Sequence, residues 1–120
     1  MTGAFALGFP TGPALAQYDS LRGTCFLSNT GNFNCTAWDV TARENGRHGG
    51  SMEIIEMHPD RTDVPMFRVF ALYDNTFIVE EHDGNTGQWY TLYDRFYADA
   101  ADPECVLGGP NMDAICFRPY

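Results

Sequence analysis

From Leu21 onward the apolar positions come in short runs rich in β-branched and aromatic residues. Gly, Asn, Asp or Pro interrupts them before a helical repeat can establish itself. Leu21 to Ser28 predicts a first strand, Asn29 to Asn34 a turn, and Cys35 to Ala42 a returning strand. Glu44 to Gly50 reads as a polar loop. Ser51 to Met57 then alternates, with Met52, Ile54 and Glu56 on one face and Glu53, Ile55 and Met57 on the other, until His58-Pro59-Asp60 ends it.

The strongest β signal is a meander from Pro65 to Tyr97. Met66 to Tyr73 forms one strand, Asp74-Asn75 a two-residue hairpin turn, Thr76 to Glu81 the next strand, Asp83 to Gly87 a second turn, and Gln88 to Tyr93 a third strand. Parity places Phe67, Val69, Phe77, Val79, Trp89 and Thr91 on one face and Phe70, Leu72, Ile78, Tyr90 and Leu92 on the other. Both faces are apolar enough to be partly buried, which a sandwich or a small barrel achieves more readily than an open sheet. Ala98 to Glu104 fits a helical turn or an acidic loop, and Ala114 to Arg118 a last strand. The expected fold is all-β, a small antiparallel β-sandwich or barrel. With 120 residues and no internal repeat, it is one domain.

The N-terminal segment changes this picture. Met1 to Ala16 carries no charge, holds an apolar stretch from Ala4 to Phe9, and ends in Ala14-Leu15-Ala16 before Gln17. Small residues three and one positions before a cut are what signal peptidase requires, so residues 1–16 read as a secretory signal and 17–120 as the β-domain. The basic start of such a signal is missing from Met1-Thr2-Gly3, and the true start is expected upstream. The apolar stretch is too short to span a bilayer.

Four cysteines, Cys25, Cys35, Cys105 and Cys116, point to the same compartment, since an even count in a short chain suggests two bridges formed in an oxidising space. The favoured pairing is Cys25 with Cys35 and Cys105 with Cys116, each closing a short turn-rich segment; a crossed pairing stays open. Nine and ten intervening residues miss the close spacing of a zinc knuckle. The expected location is periplasmic or secreted.

Charge narrows the partners. Seven arginines and no lysine stand against 16 acidic residues, a net charge of −9, which disfavours nucleic acid and favours encounter with cationic partners.

Catalytic signals are sparse. His48, His58 and His82 lack metal-ligand spacing and read as isolated surface imidazoles, and no serine lies in a nucleophile elbow. Glu80, Glu81 and Asp83 lie near Trp89 and Tyr90, but adjacent strand residues point to opposite faces, so Glu80 and Glu81 do not form a catalytic pair. Asp83-x-Asn85-x-Gly87 has calcium-type ligands without the closing glutamate and reads as a β-turn. No cofactor, metal or catalytic residue is assigned.

Recognition fits better. Trp89, Tyr90, Tyr93, Phe96 and Tyr97 crowd five rings into nine residues. Gly108, Gly109, Pro110 and Asn111 sit in a segment that a Cys105–Cys116 bridge would preorganise. The candidate binding residues are therefore Trp89, Tyr90, Tyr93, Gly108, Gly109, Pro110 and Asn111. The expected function is a non-catalytic binding module of the bacterial envelope, monomeric by default, with a protein partner of cationic character. An inhibitor of a secreted hydrolase such as lysozyme is the sharpest version. The rivals are a small envelope enzyme acting on glycan through acidic residues, and a structural or interaction domain.

Overall fold

In strands whose two faces are both apolar, one set of side chains must fill an interior and the other must be covered from outside. The computed structural model shows how this chain does both. It describes residues 20–120, apart from the side chains of Tyr93 and Asp94; the expected signal, residues 1–16, lies outside the described residues.

Eight strands form a closed antiparallel barrel in simple up-and-down order: β1 (Ser20–Leu27), β2 (Gly31–Asp39), β3 (Glu53–Pro59), β4 (Phe67–Ala71), β5 (Thr76–His82), β6 (Trp89–Ala98), β7 (Cys105–Gly108) and β8 (Asp113–Pro119). The question of sandwich or barrel is settled at the seam, where β8 pairs with β1 from Gly23 opposite Pro119 to Leu27 opposite Ile115. Closure removes the free sheet edges that an open meander would leave.

An eight-stranded barrel is just wide enough for side chains to fill it. Phe33, Phe67, Phe77, Phe96 and Phe117 do most of that filling, together with Ile55, Met57, Val69 and Val79. Two glycines make room where rings cross neighbouring strands. A Cβ on Gly23 would lie 2.5 Å from the Arg118 carbonyl and 2.7 Å from the Phe117 ring, and one on Gly108 would lie 2.5 Å from Cγ of Phe96. Phe96 stands opposite Gly108 in the β6–β7 ladder, so its ring occupies the space that a side chain on β7 would need.

Both disulfides have the favoured local pairing. Cys25–Cys35 lies inside the barrel. It spans the β1–β2 hairpin diagonally, because the residue opposite Cys25 is Phe33 and not Cys35. Cys105 and Cys116 are directly opposed across β7–β8, with Cα atoms 4.1 Å apart.

Several boundaries differ from expectation for local reasons. β2 begins at Gly31, since the first hairpin needs only the turn Ser28–Thr30. The β4–β5 turn holds three residues rather than two: Leu72 N–H donates to the Thr76 carbonyl, and Asn75 takes the left-handed conformation at φ 67°. Asp83–Gly87 is a turn as expected, closed by Gly87 N–H to the Asp83 carbonyl and by Asn85 N–H to the Asp83 carboxylate. The polar stretch Glu44–Gly50 is no solvated loop. A helical turn (Thr41–Glu44) and a 3₁₀ turn (Arg47–Gly49) fold back over the outside of β3, β4 and β5, and we call residues 41–49 the clasp. Every residue of β4 is buried as a result. Among the described residues no helix is long and apolar enough to cross a membrane.

Candidate functional site

Three places gather chemistry: one open end of the barrel, the outer wall under the clasp, and the opposite rim.

The open end carries the turns after β1, β3, β5 and β7. There the inward side chains stop short of filling the barrel, and a pocket of about 180 Å³ remains. Leu27, Phe67, Val79, Leu92, Phe96 and Ile115 make the apolar part of its wall, and Ser28, Asn29 and two carboxylic residues, Glu81 and Asp113, line it as well. Glu81 follows the inward parity of Phe77 and Val79, and Tyr90 stands opposite it and donates its hydroxyl to the Glu81 carboxylate. That bond raises the Tyr90 phenol above its ordinary range, as partial burial and the Glu81 charge also do. The rim is exposed and partly aromatic: Tyr90 is 46% and Met112 61% accessible.

Charge accounting sets this pocket apart. Of the seven arginines, Arg22, Arg43, Arg47, Arg61, Arg68 and Arg118 form ion pairs with other carboxylates. The seventh, Arg95, donates to Thr76 Oγ1. Among the described residues neither Glu81 nor Asp113 has an ion-pair partner. Two carboxylates thus line the pocket without a cation paired to either among the described residues.

The sequence-chosen residues divide around this geometry. Tyr90 does not line the pocket but is bonded to Glu81, which does, and Gly109, Pro110 and Asn111 form the β7–β8 turn on the same rim, just before Asp113. Gly108 is not part of a binding loop: it is a buried β7 residue beneath Phe96. The segment that the Cys105–Cys116 bridge closes is a hairpin of two strands and a short turn. The Tyr93 side chain lies outside the described ones, although its backbone pairs with Val79. Trp89 moves to the other face. Parity had grouped it with Phe67 and Val79, but the β5–β6 register sets it against His82, outside the barrel, while Tyr90 and Leu92 turn inward. Glu80 and Glu81 do point to opposite faces, as expected.

On the outer wall the register aligns Trp38, Glu56, Arg68, Glu80 and Thr91 in one row across five strands. Arg68 is at its centre, buried, with Nε 2.7 Å from Glu56 and its guanidinium 3.7 Å from the centre of the Trp89 ring. Burial alone would raise the Glu56 carboxyl, but hydrogen bonds from Arg68 and His58 outweigh it and hold the group below the usual range. The histidines are not isolated. His48 lies 2.7 Å from Glu80, His58 lies 2.7 Å from Glu56, and the His82 ring packs 4.9 Å from that of Trp89. Glu56 and Arg68 were not singled out from sequence, and Glu80 was weighed only as half of a catalytic pair. The signal was available, since a turn centred on Asp74 sets Arg68 opposite Glu80.

At the opposite rim Glu53 shares the inward parity of Ile55 and Met57. Partial burial first, and the charge of Asp39 second, push its carboxyl up to about 7. Unfolded, the group titrates near 4.5, so at intermediate pH the folded chain holds a proton that the unfolded chain has released. Stability from this group therefore falls as pH rises through that window. Glu53→Gln is expected to raise the melting temperature at pH 8 and leave it unchanged at pH 4, as scanning calorimetry at the two pH values will read.

Among the described residues no group of three or more His, Cys, Asp or Glu side chains is arranged to hold a metal ion. Comparison with protein-family models, with curated proteins and with solved structures finds no match to this chain, so its function is argued from its own geometry.

Proposed function

We propose that the protein is a non-catalytic binding module that receives a cationic side chain of a protein partner at the open end of the barrel. The observation that carries this reading is the pocket itself, with Glu81 and Asp113 set without counter-charge in an apolar wall. At about 180 Å³ it is smaller than the ~300 Å³ at which sites for drug-sized ligands begin, and it suits one side chain with an alkyl stem and a charged tip. A net charge of −9 would steer such a partner toward the barrel, and the exposed Tyr90 and Met112 supply contact area around the mouth. Two disulfides support a home in an oxidising space, periplasmic or secreted. Inhibition of a secreted cationic hydrolase such as lysozyme is the specific form we favour.

Titration calorimetry with lysozyme, alongside capture from the native secretion, tests the reading. Glu81→Gln combined with Asp113→Asn is expected to weaken binding by at least tenfold, or about 1.4 kcal/mol, at low salt. Trp89→Ala, on the outer wall, is expected to leave it unchanged. If the double variant captures the same partners with the same affinity as the natural chain, the pocket is not the site.

A further inference from the structure

The clasp is joined to the barrel by charge far more than by apolar burial. None of the residues in its two helical turns is buried. Its ionic attachments are Arg43 to Glu56 at 3.2 Å, Glu44 to Arg68 at 3.4 Å, and Arg47 and His48 together on the same oxygen of Glu80, His48 at 2.7 Å; at its start Thr41 Oγ1 also accepts from the Ile54 N–H at 2.9 Å. Arg47 and His48 also pack on Phe70: the Arg47 guanidinium lies over its ring at 5.7 Å, and the His48 ring meets it edge-on at 4.7 Å. To place that ring the backbone of His48 adopts φ 55°, a left-handed conformation that costs a residue with a side chain roughly 1–2 kcal/mol. The side-chain contacts must offset that cost. Gly46 and Gly50, both at positive φ, flank the turn and let the chain reverse at each side of it.

Beneath the clasp, Glu80 is 1% exposed, and its Oε1 has no hydrogen-bond partner. A carboxylate so placed depends on the cations around it. The groups that face it are Arg47 and His48 from the clasp and Arg68 from β4, whose guanidinium is 4.0 Å away. β6 presents uncharged Thr91 in the same row. Glu56, two strands away, is faced by Arg68 from β4, His58 from β3 and Arg43 from the clasp, with Trp38 next to it on β2. His48 is thus the titratable cation that belongs both to the clasp and to the buried carboxylate.

We propose that the clasp is a pH-responsive closure: protonated His48 locks it onto Glu80 over the outer wall of β3–β5, and loss of that proton frees it. The neutral imidazole keeps at most one N–H bond to the carboxylate and gives up its charge pairing, while Arg47 alone balances Glu80 from the clasp side. Release uncovers Ile54, Phe70 and Ile78, an apolar patch outside the barrel, and leaves the pocket at the open end untouched.

Hydrogen exchange on the whole chain tests this. The Gly50 amide is held by the Arg47 carbonyl at 3.0 Å and reports the clasp, while amides in the Val69–Val79 ladder report the barrel. Between about pH 5.5 and 8, the range in which imidazole changes charge, Gly50 is expected to lose about tenfold of its protection after correction for intrinsic rates. The barrel amides should keep theirs. His48→Gln, which retains a donor but no titratable charge, should flatten the Gly50 profile, and His58→Gln should preserve it. In the natural chain the midpoint should coincide with the His48 imidazole titration followed by NMR. A Gly50 profile that is flat in the natural chain, that persists in His48→Gln, or whose midpoint tracks His58 or His82 would overturn the proposal.

Discussion

Replacing Arg68 by alanine is expected to lower stability by about 3–5 kcal/mol, enough to unfold much of the population of a small domain. The size follows from what is left behind rather than from what is removed. Glu56 and Glu80 are both buried, and Arg68 lies between them, accepted by Glu56 at 2.7 Å and stacked under Trp89. Without it, two carboxylates share one wall, with only Arg43, Arg47 and the histidines to balance them. The Trp89 ring loses a desolvated cation worth up to about 2 kcal/mol as well. Urea titrations at neutral pH will measure the loss. The sign with pH follows from Glu56, whose carboxyl is held below its usual range in the folded chain. Its contribution is present above the ordinary carboxylate range and is lost as pH falls through the depressed value, so the gap between the natural chain and Arg68→Ala should narrow in acid. Combining Arg68→Met with Glu56→Gln and Glu80→Gln should recover part of the stability, because no buried charge then lacks a partner. A loss under about 1 kcal/mol for Arg68→Ala would mean that the wall admits water and that its charges are not truly desolvated.

Removing the Cys25–Cys35 bridge by substituting both residues with alanine is expected to cost about 3 kcal/mol, the chain-entropy value for a loop of this length. The sequence separation is 10, against 11 for Cys105–Cys116, so loop closure makes the two bridges nearly equal. Their surroundings separate them. Cys25 and Cys35 are fully buried in the barrel interior, and Cys25 Sγ lies 4.0 Å from Met57 Sδ, so alanines there also remove packed sulfur atoms from the core. Cys105–Cys116 is covered too, each cysteine being 4% exposed, but it lies outside the interior cluster, against Arg118. The interior variant should therefore melt at the lower temperature. Equal melting temperatures for the two double variants would show that only loop closure matters here.

Much of the architecture was legible in local pattern. Alternation in Ser51–Met57 and Pro65–Tyr97, and the punctuation by Asn-Thr-Gly-Asn and Asp-Asn, are properties of a few adjacent residues, and they suffice to place strands β3 to β6 and the hairpins around them. The local disulfide pairing was legible for the same reason: each bridge closes a short hairpin, and its two cysteines are neighbours whatever the rest of the chain does. The opposed orientations of Glu80 and Glu81 follow from the pleat alone. Tyr90 could be picked out as a candidate because aromatic density is visible without register.

The polar stretch Glu44–Gly50 shows where local reading ends. Nothing in its composition separates a solvated loop from a clasp, since its partners Glu56, Arg68 and Glu80 lie on three other strands. The histidines, which read as isolated, acquire partners only when those strands are brought together. Trp89 went to the wrong face because the hairpin that turns at Asp83–Gly87 pairs Glu81 with Tyr90 and His82 with Trp89, so odd-numbered residues of β5 share a face with even-numbered residues of this end of β6, and a register one residue different would exchange inside for outside. Gly108 resembled a binding loop by sequence and became a packing position because Phe96, twelve residues earlier, needs the space above it.

Residues near in sequence thus settled the strands, their turns and the bridges, because hydrogen-bond geometry and side-chain alternation act over one or two residues. The tertiary structure alone decided that the sheet closes into a barrel, which carboxylates share a wall with Arg68, and that Glu81 and Asp113 meet at an open pocket. Those outcomes depend on cross-strand register and on the β8–β1 seam, which joins residues almost a hundred positions apart and is fixed only when the interior rings fit together.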